Sequence, residues 1–380
     1  MNRLLGVVLL VAVTTAPLDA QGKRIPSRVI MAGVGALVAG GMAGVYAANF
    51  ERDIGGCSKA TCVVPVSVVL GGLMGYLIGG EMDKLYALRY SHAPPIGVRG
   101  RELTLTVLPN DVFVQDGTVL VTGVEGVEVV RAGPRLERLG FRARGLRGIG
   151  PVSANDASNR LLVGSSVGLY QFPLRGDELG TLAYPGEISA VSADGAWLAL
   201  GLGPAVQLAR ITDSLRAAGP QAEEEARVVA LRWRGDTQLW VLTEERLAAY
   251  AREGDSLRVL GALALPTLAR RLSLTDSLAL VSAGSGGVFV IDIRDPAAPV
   301  EVTNWSGARF AYDAAILDDV VYVAAGPEGL YILRLTDHRL VPVGLSRGVG
   351  FIAAIAAGPD AIYLLDRNGA ALRRIDPLRQ

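Results

Sequence analysis

From Glu102 to the end of the chain, short runs rich in Val, Leu and Ile are separated by turns rich in Gly, Asp and Pro. Alternation of apolar and polar positions over such short runs predicts half-buried strands, and the glycine-rich breaks predict tight turns. One apolar triplet recurs along this region, beginning at Val119, Leu161, Trp197, Leu239, Ala279, Val321 and Ile362. The spacings between them are 42, 36, 42, 40, 42 and 41 residues. Four triplets lead into a turn that opens and closes with glycine or nearly so: Gly123-Val-Glu-Gly, Gly164-Ser-Ser-Val-Gly, Gly284-Ser-Gly-Gly and Gly326-Pro-Glu-Gly. Thr243-Glu-Glu-Arg and Asp366-Arg-Asn-Gly stand where the fourth and seventh repeats depart from that pattern.

Four short strands and their turns occupy about 40 residues, the size of one propeller blade. Seven repeats therefore predict an all-β, seven-bladed β-propeller over residues 101–380. The seventh repeat runs through 352–355, 362–365 and 371–375, one strand short of a blade. Residues 102–108, where Leu103, Leu105 and Val107 alternate with Thr104 and Thr106, are expected to supply the missing strand. That pairing closes the ring and removes two open sheet edges.

The first hundred residues have a different pattern. Residues 1–20 read as an export signal: Arg3, an uncharged and mostly apolar run from Leu4 to Ala16, then Leu18-Asp19-Ala20 before Gln21. Within residues 21–100, two uncharged apolar segments, Val29–Phe50 and Val63–Gly80, predict helices over about 29–50 and 63–82. Small residues recur every four positions, at Ala32, Ala36, Gly40, Gly44 and Ala48, and at Ser67, Gly71, Gly75 and Gly79. On helices each series forms a flat stripe that permits close backbone approach, which makes Ala36, Gly40, Gly44, Gly71, Gly75 and Gly79 the expected packing positions. Cys57 and Cys62, in Cys-Ser-Lys-Ala-Thr-Cys between the two segments, read as a small disulfide in an exported chain. The flanking Lys23, Arg24, Arg28, Lys84 and Arg89 oppose the orientation that an export signal implies, so the hairpin's orientation stays open.

This part resembles the glycine-zipper two-helix segments of bacterial envelope proteins, and the resemblance implies helix pairing in or on a membrane through residues 29–82. The fifth repeat, Leu280-Val-Ser-Ala-Gly-Ser-Gly-Gly-Val-Phe-Val-Ile-Asp-Ile-Arg-Asp-Pro and on to Val302, resembles the LVIVD repeat of bacterial surface and exported propellers. The sixth, Val321-Tyr-Val-Ala-Ala-Gly-Pro-Glu-Gly-Leu-Tyr-Ile-Leu333, is similar to its first half, while the other five match loosely. Ser192-Ala-Asp-Gly-Ala-Trp-Leu198 looks like a turn of the WD40-like exported propellers. These resemblances imply a cell-envelope protein that binds or scaffolds, with a protein partner or its own copies, and no chemistry.

Composition narrows the function further. Lys+Arg and Asp+Glu both number 37, which gives no basis for a nucleic-acid partner. The two histidines, His92 and His338, lie far apart, and Gly-x-Ser-x-Gly, P-loop and His-Glu-x-x-His motifs are absent. No catalytic residue, metal site or cofactor is expected. A hydrolase or lyase at the channel mouth and a structural, oligomerising envelope protein are the alternatives. One pattern stands out among the 34 arginines. Arginine falls in the segments leading into five of the later repeats: Arg142, Arg144 and Arg147, then Arg227, Arg270 and Arg271, Arg309, and Arg347. The segment before the third repeat has Glu187 instead, and Glu223, Glu224 and Glu225 stand ready to neutralise part of the set. In a propeller these segments gather around one mouth of the channel, so Arg144, Arg227, Arg271, Arg309 and Arg347 form a candidate anion site there.

Overall fold

The computed structural model describes residues 93–378, apart from 99, 116, 147, 156, 157, 177, 178, 212–214 and 236, together with the single helical position Ala36. The export signal, the apolar segments with Gly40, Gly44, Gly71, Gly75 and Gly79, and Cys57 with Cys62 lie outside the described residues. The chain divides at Ala93, and the unit that follows consists of seven four-stranded antiparallel sheets. Blade one runs outward through Pro109–Gln115, Thr118–Gly123, Val127–Arg131 and Glu137–Arg142. The innermost strands of blades two to seven are Ile149–Asn155, Ala190–Asp194, Val228–Arg234, Arg271–Leu274, Asp313–Leu317 and Ile352–Ala357. Each packs beside the next, and the last returns to the first, so the sheets form a closed seven-bladed ring.

All seven recurrent triplets fall on the second strand of a blade, for example Thr118–Gly123, Arg160–Ser165 and Gln238–Thr243. The reason they read as unbroken apolar runs is that both faces of these strands are buried. Leu161 and Val163 face blade one while Leu162 faces blade three; Leu239 and Val241 face blade three while Trp240 and Leu242 face blade five. An apolar cluster fills every one of the seven interfaces between neighbouring blades. Each fully buried Val, Leu or Ile contributes about 1.5–3 kcal/mol, so every blade is held mainly by its two neighbours. In blades five and six the turn after the second strand starts at Gly284 (φ +58°) and Gly326 (φ +56°), conformations that an L side chain rarely adopts.

The closing strand is Gly100–Thr104, which pairs antiparallel with Ala371–Ile375 and places Leu103 opposite Leu372. It is displaced from the expected 102–108. The Leu105 N–H still donates to the Ala370 carbonyl at 2.7 Å. Beyond it the chain leaves the seventh sheet for blade one, and Leu105 and Val107 are buried in the cluster between those blades. The apolar alternation of 103–107 therefore records burial, not a continuous strand. Glu128 of blade one fastens this crossing: its Oε2 accepts from the Thr106 N–H at 2.9 Å and from the Thr106 hydroxyl at 3.0 Å. Its Oε1 accepts from Arg138, and Arg138 in turn donates to the Thr104 carbonyl at 2.6 Å.

The start of the unit also differs from the expected residue 101. Leu345, on the outermost strand of blade six (Arg339–Ser346), donates its N–H to the Pro94 carbonyl at 2.8 Å and accepts from the Ile96 N–H at 3.0 Å. Residues 94–96 are thus attached to the ring by backbone hydrogen bonds.

Candidate binding site in the central channel

The seven innermost strands enclose a cavity of about 670 Å³, to which every blade contributes lining residues. A strand at the inner edge of a sheet has backbone N–H groups with no partner in its own sheet, and these need acceptors. Side chains on the preceding blade supply several. Gln115 Oε1 accepts from the Ala154 N–H at 3.0 Å, Ser153 Oγ from Ala193 at 3.1 Å, and Ser192 Oγ from Trp233 at 3.3 Å. Asp313 Oδ2 does the same for Ile355 at 3.1 Å. Each tie crosses one blade interface, 39 to 42 residues along the chain. Polar groups in the channel wall thereby fix the inner circumference of the ring.

Four charged side chains meet in this wall: Asp111, Arg232, Arg271 and Asp313. Arg271, the first residue of its strand, forms an ion pair with Asp111. Burial works against the Arg271 charge, but attraction from Asp111 and Asp313 outweighs it and holds the guanidinium above its ordinary range. Asp313 accepts two backbone N–H bonds, from Ala314 at 2.9 Å and Ile355 at 3.1 Å. Burial nevertheless pushes its carboxyl up to about 7, with Arg271 opposing the shift and Asp111 adding to it. Arg232 is pulled in the other direction: burial lowers its pKa, against the attraction of Asp111 and Asp313. It donates to the Leu231 carbonyl at 2.8 Å and lies over the Phe113 ring, 5.9 Å from its centroid. Among the described residues it forms no ion pair.

Of the five arginines expected to form an anion site, only Arg271 lines this cavity. Arg227 pairs with Glu187 at 2.6 Å, so the residue that interrupts the arginine pattern is the partner of one of its members. Arg309 meets Glu328 at 3.1 Å, and Arg144 lies over the Phe141 ring, 5.2 Å from the centroid. Arg347 borders a separate hollow of about 400 Å³ with Ala93, Pro95, Ile96 and Leu345. Glu224 does not neutralise the mouth. It is buried, and it accepts from Arg246 at 2.6 Å and from the Tyr250 hydroxyl at 2.5 Å. Burial and the Glu224 carboxylate both push the Tyr250 hydroxyl well above its usual range.

Sequence reasoning passes over Asp111, Arg232 and Asp313 because they lie on strands, not in the connecting segments. Arg232 sits in Ala-Leu-Arg-Trp-Arg, which reads as ordinary alternation with a solvated face. The available signal was that innermost strands point one face into a channel, so a charge there is enclosed. Among the described residues no group of His, Cys, Asp and Glu is arranged to hold a metal ion, and no helix is long and apolar enough to cross a membrane.

The fold and channel define a seven-bladed β-propeller. It is similar to a chain in the crystal structure of a mitotic checkpoint complex, with a TM-score of 0.59 and 12% identity over 76% of this chain and 97% of that one. It is also similar to the computationally designed Ika8 protein, with a TM-score of 0.51 and 13% identity over 75% of this chain and 100% of that one. At these identities the likeness is one of fold alone. No protein-family model and no curated protein matches the sequence.

Proposed function

We propose that this chain is an exported, membrane-associated β-propeller of the bacterial cell envelope, serving as a non-catalytic binding or scaffold module. The observation that carries the reading is the closed ring, which presents two broad faces on a frame buried at every blade interface. One solved chain of similar fold comes from a complex, the mitotic checkpoint complex. Support for the envelope comes from the sequence: the signal-like residues 1–20, the LVIVD-like fifth and sixth repeats, and the phased glycines of residues 29–82. In this reading residues 29–82 attach the propeller to a membrane, Cys57 and Cys62 close the hairpin tip, and the partner is a protein or a second copy.

Fractionation of a bacterial host expressing the full chain tests the reading. The propeller is expected in the envelope membrane fraction, accessible to protease from the exported side, and freed from the membrane when residues 29–82 are deleted. A protein found wholly in the cytosol overturns it. One observation favours a second reading, a hydrolase or lyase. Asp313 has a carboxyl poised near neutrality beside Arg271 in a cavity, as an acid–base group requires. Turnover of a substrate by the wild-type chain, lost in Asp313→Asn, identifies that case.

A further inference from the structure

Several enclosed guanidinium groups elsewhere in the propeller are met by acceptors, although the buried Arg160 Nη1 is not. Arg246 has Glu224, Arg271 has Asp111, Arg374 has Asp360 and Asp376, and Arg142 has the carbonyls of Phe141, Pro173 and Leu174. Arg232 differs. It carries five N–H donors and spends one bond, on Leu231, while the rest of the group borders the cavity. Asp111 and Asp313 attract this cation without pairing with it, and a largely enclosed cation with no direct partner is unfavourable unless the rest of the structure imposes it. Such a group keeps N–H donors free for an anionic partner in the channel.

The charges facing it set the ligand's charge. Arg232 and Arg271 are positive and Asp111 is negative; Asp313 is the fourth member, and Asp194 lies further along the wall at the end of the blade-three strand. With Asp313 protonated the quartet carries one net positive charge, and with it ionised none. We propose that the channel binds a small carboxylate-bearing molecule, its single negative charge held by Arg232 beside Phe113 and its remainder occupying the channel. The cavity, at about 670 Å³, lies within the range of small-molecule sites and leaves room for a body larger than the carboxylate itself. A phosphate ester carries between about −1.5 and −2 charges at neutral pH, which leaves surplus negative charge beside Asp111 and Asp313. Ionisation of Asp313 sets a second carboxylate competing for the Arg232 field, so the site is competent while Asp313 holds its proton.

The test uses the full chain with acetate, benzoate and inorganic phosphate, by calorimetry at pH 6 and pH 8, where benzoate is ionised throughout. Benzoate is expected to bind more tightly than acetate, and phosphate least at pH 8, where it is mainly the dianion. The apparent affinity for benzoate should fall about tenfold from pH 6 to pH 8, because the competent fraction falls by that factor across the Asp313 titration. Arg232→Gln should lose benzoate binding at both pH values, with its unfolding midpoint reported as the folding control. Asp313→Asn should bind equally at both, a readout that stands even if the Arg232 variant fails to fold. Absence of benzoate binding to the wild-type chain at millimolar concentration, retention of it in folded Arg232→Gln, a preference for phosphate, or a pH-independent wild type each overturns the proposal.

Discussion

Arg271 of blade five closes on Asp111 of blade one, 160 residues away, so a single ion pair joins two blades that share no sheet edge. The other ties around the inner circumference run between adjacent blades, whereas this one spans the channel. Removing one partner leaves the other charge enclosed, which for a fully buried pair is destabilising by roughly 3–5 kcal/mol. Arg271 keeps 35% of its side chain exposed to the channel, so the loss is smaller. Asp111→Asn should lower stability by about 2 kcal/mol, read as a lower denaturant midpoint at unchanged slope. An unchanged midpoint would mean that channel water already screens the pair.

Asp313 makes stability depend on pH in a direction opposite to that of a salt-bridged carboxylate. Its ordinary pKa is 3.8 and in the folded protein it is about 7, so between those values the folded state holds a proton that the unfolded state has released. Stability from this group is fully present below about pH 4 and is lost as pH rises through about 7. Asparagine imitates the protonated form and cannot titrate. The difference in unfolding free energy between wild type and Asp313→Asn should therefore shift in favour of the variant from pH 4 to pH 8. Taking the difference removes the contributions of all other titrating groups. A difference that stays flat across this range refutes the assignment.

Glu128 is the latch between the closing strand and blade one, with a fully buried side chain that accepts from Thr106 twice and from Arg138. Hydrogen bonds to a charged acceptor contribute roughly 1.5–3 kcal/mol each, and the Arg138 partner can recover part of its share in water. Glu128→Ala should therefore destabilise by about 3 kcal/mol, and Glu128→Gln by less because an acceptor oxygen remains. Urea denaturation of the three proteins gives the ranking. Equal loss in both variants would assign the effect to charge alone.

Much of the fold is legible in the sequence because each blade buries both faces of its second strand, which turns a structural position into an unbroken apolar triplet such as Leu239-Trp-Val. Counting triplets therefore counts blades. The edges of the ring were less legible. Leu105 and Val107 continue the alternation of Leu103 although the chain has already left the sheet, and alternation cannot separate strand pairing from burial at a crossing. The channel site was legible only in Arg271. Its other members come from blades one, four and six, more than 80 residues apart in sequence, and only ring closure brings them together. The connecting-segment arginines suggested a shared mouth, but Arg227 and Arg309 each have a carboxylate partner beside them.

Closure itself offers the sharpest test of how the ring is held. Gly100–Thr104 forms five residue pairs with Ala371–Ile375 and is the outer strand of the seventh sheet. Residues 94–96 are bonded to Leu345 of blade six, so among the described residues the ring's attachments begin at residue 94. A chain starting at Ala93 retains both sets of bonds and should unfold in one cooperative, soluble transition. A chain starting at Leu105 keeps the apolar contacts of Leu105 and Val107 but leaves Ala371–Ile375 as an open edge. Unpaired edges template association with other chains, and the lost strand also uncovers Leu372 and Ile375. That shorter chain should be largely insoluble or assemble into higher oligomers on size exclusion, with amide exchange raised first in 371–375. If the two truncations match in solubility and exchange, the strand does not hold the ring, and the apolar cluster between blades seven and one is enough by itself to keep it closed.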